Sequence, residues 1–270
     1  MTENFVLASG GTSGRIHKST DNGATWDSGV LVGSGLPLRG MTQLANRSIV
    51  LIGTDGKLYK STDYGTTWDA GVNLPNTNTC CIQVIQLANG DLLTCTSNTG
   101  NVHKSTDNGL TWDAGVNVVA FNVGLYGIKQ LINGDIIVIG NASGNVYKSV
   151  NGGTTWSSIG NTVAGMTGID QLADGTVVAT NFSGGKLYRS TNNGISWTGG
   201  ATIAYGAYAV CQTVNGSVLA TNQISGKVYK SINNGVTFDA GVTVSNALYG
   251  IANVYRPPTI IPRVVNYWSI

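Results

Sequence analysis

Short apolar stretches separated by Gly- and Asn-containing turns run along almost the whole chain. Between residues 127 and 159, "GIKQLI", an Asn133-Gly134 turn, the almost wholly apolar "DIIVIG", "NVYKS" and "TWSSI" follow one another. Apolar positions alternate with a period of two and turn residues interrupt them at short intervals, which is typical of β-strands and not of helical repeats. A strand as apolar as "DIIVIG" is expected in a sheet that is buried on both faces. The pattern therefore predicts an all-β protein.

The unit recurs six times. Its most regular segment is "KSTDNGATWDSG" from Lys18, and its serines fall at 19, 61, 105, 149, 190 and 231, in steps of 42, 44, 44, 41 and 41 residues. A period near 40 with four short strands per repeat predicts the blades of a β-propeller. Each repeat then supplies one four-stranded antiparallel blade.

The two ends of the chain complement each other. The chain begins with what would be the second strand of a blade, "FVLAS" (Phe5 to Ser9), and ends its repeats with a spare inner strand, "LYGIANV" (Leu248 to Val254). Pairing these two segments would close the ring and remove exposed sheet edges. We therefore predict a six-bladed β-propeller over residues 1–254, closed by pairing the C-terminal inner strand with the N-terminal strands, followed by an extended tail over residues 255–270.

The repeated Ser-x-Asp-x-Gly-x-Thr-Trp pattern resembles the Asp-box, or BNR repeat, of sialidases and many other propellers, and the resemblance extends to about Val254. In each copy an Asp or Asn is expected to accept backbone N–H groups of a tight turn, and a Gly to adopt a left-handed conformation. An aromatic side chain is expected to pack in the blade core, with a partner for any indole N–H. These structural residues are Asp21, Asp63, Asp107, Asn151, Asn192, Asn233, Trp26, Trp68, Trp112, Trp156, Trp197 and Phe238. Because Asn keeps the acceptor oxygen but lacks the charge, we interpret the motif as structural and expect no metal or cofactor there.

The sialidase resemblance also implies an arginine triad, a Tyr–Glu nucleophile and an Asp acid/base, because glycosidases cleave with paired acidic groups. This chain has a single glutamate, Glu3, and no Arg-Ile-Pro motif, and only Arg15 and Arg39 lie near loops that could face a pocket. We therefore expect a non-catalytic propeller and not an enzyme. Two alternatives stay open: a degenerate sialidase-type glycoside hydrolase and an intracellular assembly scaffold.

Composition narrows the partners. Charged residues make up 10% of the chain and the net charge is +2, so the basic stripe of a nucleic-acid-binding protein is absent. No apolar run is long enough for a membrane helix, and the N-terminus lacks the basic and apolar regions of a signal peptide. We expect synthesis in the cytoplasm, no membrane insertion and four free thiols, at Cys80, Cys81, Cys95 and Cys211.

The loops that lead into the inner strands are irregular where the scaffold repeats. They carry aromatic and amide side chains, which suit sugar stacking and hydrogen bonding. The candidate ligand-binding residues are Arg39, Asn78, Phe121, Asn122, Tyr126, Tyr205, Tyr208, Asn246 and Tyr249. Their expected ligand is a glycan, and the alternative is that the tyrosines plug the central channel.

The tail breaks the repeat and is too apolar for a solvated linker, so it predicts a surface for a protein partner or for homo-oligomerisation. Its candidate docking residues are Ile260, Ile261, Val264, Val265, Tyr267 and Trp268. The alternative is that the tail folds back on its own propeller. Few charges, abundant Gly, Asn and Thr and this tail together resemble phage or virion appendage proteins, which predicts a virion-associated receptor-binding or structural role.

Overall fold

A computed structural model describes residues 3–74, 81–119 and 124–257. In these residues the strands form six four-stranded antiparallel sheets, each of which is one blade. No helix in this part of the chain is long and apolar enough to cross a membrane. The predicted all-β, six-bladed propeller is confirmed.

The blades are numbered from the one that contains both chain ends, and their strands are given from the channel outward. Blade 1 consists of β24 (Leu248–Arg256), β1 (Glu3–Gly10), β2 (Arg15–Ser19) and β3 (Val30–Leu31). Blade 2 consists of β4 (Leu38–Gln43), β5 (Ile49–Gly53), β6 (Lys57–Ser61) and β7 (Val72–Asn73). Blade 3 consists of β8 (Cys81–Gln86), β9 (Leu92–Thr96), β10 (Asn101–Ser105) and β11 (Val116–Asn117).

The other three blades follow the same order. Blade 4 consists of β12 (Leu125–Gln130), β13 (Ile136–Gly140), β14 (Asn145–Ser149) and β15 (Ser157–Asn161). Blade 5 consists of β16 (Met166–Gln171), β17 (Val177–Asn181), β18 (Lys186–Ser190) and β19 (Thr198–Thr202). Blade 6 consists of β20 (Ala207–Gln212), β21 (Val218–Asn222), β22 (Lys227–Ser231) and β23 (Val242–Thr243). The second strand of blades 2 to 6 is buried at every position, as its apolar sequence predicts.

Ring closure occurs in blade 1, as predicted. Strand β24 pairs with β1 in an antiparallel register that runs from Glu3 opposite Arg256 to Gly10 opposite Leu248. The strand therefore includes Tyr255 and Arg256, the first two residues of the predicted tail. The docking residues proposed for the tail, from Ile260 to Trp268, lie outside the described residues.

The hairpin between the first and second strands differs in detail from the predicted two-residue turn. In blade 4 the Leu131 N–H donates to the Asp135 carbonyl at 2.7 Å, so three residues, Ile132 to Gly134, form the loop. Only Gly134 has a positive φ, of 89°, and Asn133 does not. A three-residue loop that ends in a left-handed glycine is a common hairpin connection.

Inner strands of neighbouring blades approach so closely that no side chain fits between their backbones at several points. A Cβ atom at Gly250 in β24 would lie 2.4 Å from the Arg39 carbonyl oxygen in β4. A Cβ at Gly40 would lie 2.7 Å from the Ile82 carbonyl oxygen in β8, and one at Gly168 would lie 2.6 Å from the Tyr208 carbonyl oxygen in β20. These glycines hold the third position of their strands, where they let the next blade approach.

Glutamine side chains join most of the blades to a neighbour. Gln171 at the end of β16 accepts the Ile132 N–H of blade 4 at 2.7 Å and donates to Gly175 of its own hairpin at 3.0 Å. Gln212 makes the equivalent bonds to Ala173 and Gly216. At the closure, Gln43 of blade 2 accepts the Tyr255 N–H at 2.8 Å and donates to the Tyr255 carbonyl at 3.0 Å.

The repeated turn is held by the side chains that its pattern singles out. Asp107 accepts hydrogen bonds from the Ser105 hydroxyl at 2.8 Å and from the Thr111 N–H and hydroxyl at 2.9 and 2.5 Å. The Ser105 hydroxyl in turn accepts the Gly109 N–H at 2.9 Å. Gly109 has a φ of 89°, as expected. The preceding residue, Asn108, also adopts a left-handed conformation, with a φ of 58°.

Asn replaces Asp in three copies without loss of the turn. Asn151 accepts the Ser149 hydroxyl and the Thr155 N–H, both at 2.9 Å, as Asp107 accepts their counterparts. Its amide Nδ2 then donates to the Thr155 hydroxyl at 2.8 Å, so the hydroxyl changes from donor to acceptor. A neutral amide therefore does the same structural work as the carboxylate.

The aromatic residue of each turn packs at the interface with the preceding blade, which corrects its predicted place within a blade core. Trp197 of blade 5 packs against a cluster that includes Ile137 and Val146 of blade 4. Trp68 of blade 2 likewise packs against Phe5 and Leu7 of blade 1. The turn lies against the previous blade, so its aromatic ring fills the gap between two sheets.

Three of the four expected thiols lie in the described residues, and Cys80 does not. Cys81, Cys95 and Cys211 are buried, and none of them forms a disulfide with another described residue. Burial raises the pKa of Cys95 and Cys211, which keeps both thiols protonated.

Replacing Gly250 by Ala will destabilise the ring. The new methyl group meets the Arg39 carbonyl at 2.4 Å, and overpacking of this kind costs about 1–3 kcal/mol of unfolding free energy. Gly199→Ala in β19 is the matched control, because its Cβ would meet only the Tyr188 ring at 3.8 Å, and it will change stability by less than about 0.5 kcal/mol. Urea unfolding measures both, and equal stabilities of the two variants would contradict the close-approach argument.

The three repeated turns that contain an aspartate make the free energy of unfolding depend on pH in the acidic range. Hydrogen bonds from the Thr111 hydroxyl, the Thr111 N–H and the Ser105 hydroxyl lower the pKa of Asp107 to about 2. The pKa of Asp21 is also lowered to about 2, because the hydrogen bonds of Thr25 and Ser19 outweigh an opposing effect of burial. Their folded pKa values lie below the unfolded value of about 3.9, so their stabilisation is full above that pH and is lost as pH falls toward 2.

The variant with Asp21→Asn, Asp63→Asn and Asp107→Asn will therefore lose less stability than the unaltered protein between about pH 4 and 2. Asn151→Asp, which adds a fourth carboxylate turn, will make the loss steeper. Urea midpoints measured across this range test both changes. Parallel pH profiles for all three proteins would show that the turns do not titrate as described.

Candidate functional site

The two ends of the central channel differ in what surrounds them. Inner strands begin at one end, here called the loop face, beside residues such as Arg39 and Tyr208. They finish at the other, the turn face, where residues such as Gln171 precede the first hairpin of each blade. The strands within a blade are antiparallel, so the repeated turns between third and fourth strands also lie on the turn face.

A guanidinium and two phenol rings meet on the loop face. The Arg39 Nη1 donates to the Tyr208 hydroxyl at 2.8 Å, and its guanidinium carbon lies 4.5 Å from the centre of the Tyr249 ring. The rings of Tyr208 and Tyr249 pack edge to face with centroids 5.0 Å apart. The Gln223 amide donates to the Tyr249 hydroxyl at 2.8 Å, which fixes that ring from the other side. These contacts hold Arg39 in one orientation.

An open cavity of about 240 Å³ lies over this cluster. It is lined by Arg39, Tyr126, Asn141, Thr167, Phe182, Tyr208 and Gln223. These residues come from four blades, so the cavity exists only when the ring is closed. A guanidinium, phenol rings and amides on one wall can bind a group that offers both acceptor oxygens and an apolar face.

The channel narrows directly below this cavity. Tyr126, Tyr208 and Tyr249 line a constriction that holds only about 30 Å³, enough for about one water molecule. Gln83 also lines it, and its side-chain oxygen accepts the Ile128 N–H at 3.1 Å. Tyr126 and Tyr208 line both the cavity and the constriction. With Tyr249, they are the second residues of their inner strands, which corrects their predicted place in the loops.

The buried Tyr208 is held in its neutral form. Its side chain is only 5% exposed, and burial raises its pKa far above the ordinary value although the Arg39 guanidinium opposes the shift. The hydroxyl therefore stays protonated at neutral pH and remains a hydrogen-bond partner for Arg39.

The predicted ligand-binding residues do not all meet. Arg39, Tyr126 and Tyr208 line the cavity and Tyr249 contacts Arg39. Tyr205 is 63% exposed and packs on Phe182 at 5.4 Å between centroids, at the rim. Asn246 is exposed and does not line the cavity. Asn78, Phe121 and Asn122 lie outside the described residues.

Sequence reasoning missed Phe182 and Gln223, which follow the second strands of blades 5 and 6. Each of them follows an asparagine that recurs near the ends of the second strands, and this recurrence was the signal that could have found them. Asn181 donates to the Ala164 carbonyl at 2.7 Å and Asn222 to the Tyr205 carbonyl at 2.9 Å. These two bonds fix the asparagines against the neighbouring loops, so the residues that follow, Phe182 and Gln223, lie in the cavity wall.

Several solved structures share this fold at low sequence identity. Virginiamycin B lyase from Staphylococcus aureus is 13% identical, with 90% of this chain and 88% of that chain covered and a TM-score of 0.64. A chain of a nidogen–laminin complex is 11% identical, with 93% and 98% covered and a TM-score of 0.72. YCF48 bound to D1 peptide is 17% identical, with 95% and 93% covered and a TM-score of 0.54. No family model and no curated protein sequence matches the chain.

The lyase corrects the expectation that this chain is not an enzyme. That expectation rested on missing sialidase residues, whereas virginiamycin B lyase is an enzyme with a similar fold. The fold therefore occurs in an enzyme that is not a sialidase, and missing sialidase residues do not exclude catalysis. The two histidines of the present chain, His17 and His103, are buried in third strands, where each Nδ1 lies 3.1–3.2 Å from a backbone carbonyl oxygen. Neither residue lines the loop-face cavity.

Tyr208→Phe will weaken the fold by removing the hydroxyl that partners the Arg39 guanidinium. A hydrogen bond to a charged group contributes about 1.5–3 kcal/mol, so the unfolding free energy falls by that amount. Tyr205→Phe is the control, because Tyr205 is 63% exposed and its hydroxyl contacts no described residue, and it will be neutral. Urea unfolding compares them, and a neutral Tyr208→Phe would show that this bond does not hold the cluster.

Proposed function

We propose that the protein is a ligand-binding propeller whose loop-face cavity binds a glycan that carries a carboxylate. The observation that carries the proposal is the convergence of Arg39 and the tyrosines on one cavity of about 240 Å³. An arginine fixed by a hydrogen bond and by ring stacking is preorganised to receive a carboxylate. The aromatic rim formed by Phe182 and Tyr205 supplies apolar faces against which a sugar ring can pack.

The repeated turns contribute to this function only through the scaffold. Their Ser, Asp or Asn and aromatic residues bond within the turn and pack between blades, which supports the inference that they are Asp-boxes. All of them lie on the turn face, away from the cavity. Replacing their residues would therefore alter ligand binding only through stability.

A protein partner is the second candidate. Two of the similar structures are complexes, a nidogen–laminin complex and YCF48 bound to D1 peptide. The same cavity could receive an acidic side chain of a peptide, and the apolar tail after Pro257 offers a separate contact. Attachment to a phage or other virion is proposed on composition and on the apolar tail alone.

Binding to an array of neutral and carboxylated glycans tests the first candidate. We expect carboxylated glycans to be retained, and Arg39→Leu to reduce their affinity by about tenfold or more, which corresponds to about 1.4 kcal/mol or more. Arg15→Leu is the matched control, because Arg15 lies on the outer part of blade 1 and donates to the Gly29 carbonyl instead. It will leave glycan affinity unchanged.

Two results would overturn the glycan proposal. One is equal retention of neutral and carboxylated glycans. The other is equal loss of affinity in the Arg39 and Arg15 variants, which would indicate a nonspecific charge effect. Retention of an acidic peptide without any glycan would favour the protein partner. Mass spectrometry of the bound glycans after incubation reports whether binding is followed by a chemical change.

A further inference from the structure

A second cavity opens on the turn face, at the opposite end of the channel from the loop-face cavity. It has a volume of about 300 Å³, which is in the range of small-molecule sites. The constriction around Gln83, Tyr126 and Tyr208 separates the two cavities, because it holds only about 30 Å³. A ligand in one cavity therefore does not reach the residues of the other.

One wall of this turn-face cavity carries an ion pair. The Lys129 ammonium of β12 lies 2.6 Å from the Asp170 carboxylate of β16. Asp170 also accepts the Gln171 N–H at 2.9 Å and, through its other oxygen, the Gln212 N–H of blade 6 at 3.0 Å. Three blades thus fix the carboxylate, and the attraction of Asp170 raises the pKa of Lys129, which keeps the ammonium protonated.

The pair still has hydrogen-bonding capacity that the described residues do not use. The Lys129 ammonium has three N–H groups, of which one is directed at Asp170, and the second Asp170 oxygen accepts only one of the two bonds open to it. The Thr42 hydroxyl and the Asn253 amide also line the cavity and bond to no described residue. The wall therefore offers positive donors and a negative acceptor side by side.

The cavity wall also carries apolar side chains. Ile85 of blade 3 and Ala252 of blade 1 hold the strand position that Lys129 and Asp170 hold in their own blades, and both line the cavity. Ile85 lies in the blade next to that of Lys129, and Ala252 lies across the ring from it. The cavity thus combines the ion pair with apolar surface and is neutral in net charge.

We infer that the turn-face cavity is a binding site for a small zwitterion with neighbouring amino and carboxylate groups, of the α-amino acid class. Its carboxylate accepts hydrogen bonds from the free N–H groups of Lys129, and its ammonium donates to Asp170. Its side chain lies toward Ile85 and Ala252. The ion pair stays intact, so binding adds charge-assisted hydrogen bonds without leaving either protein charge unpaired.

Isothermal titration calorimetry of the full chain with glycine, L-alanine and L-leucine tests this inference. We expect saturable binding with a dissociation constant of about 1 mM or tighter. Acetate and methylammonium, which each carry one of the two charges, are expected to bind at least about tenfold more weakly. Erythritol, a neutral polyol of similar size, is expected to bind no better than these.

Variants separate this site from the loop-face cavity. The double variant Lys129→Met and Asp170→Asn removes both charges together, so no lone charge is left to unfold the protein, and it is expected to lose amino-acid binding. Arg39→Leu, at the other end of the channel, is expected to keep amino-acid binding even where it loses glycan binding. The two proposals can therefore fail independently.

Circular dichroism confirms that each variant is folded before its binding is compared. The inference is overturned if none of the three amino acids binds saturably up to about 10 mM. It is also overturned if erythritol binds as tightly as they do, or if the folded double variant binds them like the unaltered protein.

Discussion

The close approach of neighbouring inner strands is the constraint on which the rest of the molecule depends. At Gly40, Gly168 and Gly250 the backbone of the next blade occupies the place where a Cβ atom would lie. The six blades can therefore close into a ring with a narrow channel, in which a few tyrosine side chains and Gln83 form the constriction. The channel is divided into two cavities because this constriction is narrow.

Interactions between blades, more than those within them, give the repeat its sequence. The Ser, Asp or Asn, Gly and aromatic residues of the turn hold a loop that lies against the previous blade, and glutamines such as Gln171 clasp the neighbouring hairpin. An amide serves in the turn as well as a carboxylate because both offer an oxygen to the same two donors. The most regularly repeated residues are therefore those that contact the neighbouring blade. The side chains that can give this protein a specific function lie at the ends of the channel.

The two ends offer different chemistry on one scaffold. The loop face presents a guanidinium among aromatic rings, and the turn face presents a balanced ion pair in a cavity that Ile85 and Ala252 also line. Structures that share the fold include a lyase as well as propellers in complexes with other proteins. The fold is thus compatible with catalysis and with binding, so the function depends on which groups each end places around its cavity.

The sequence by itself determined the repeat, the number of blades, the ring closure and the strands, because alternation and turn residues are local properties that six copies reinforce. It also grouped Arg39, Tyr126, Tyr208 and Tyr249 at one face, although it assigned to loops what are the second residues of inner strands. Only the tertiary structure showed that Arg39 bonds to Tyr208, 169 residues away, and that Phe182 and Gln223 join them while Asn246 does not. It alone paired Lys129 with Asp170. These contacts form between blades, where the distance between side chains is set by closure of the whole ring and by no local pattern.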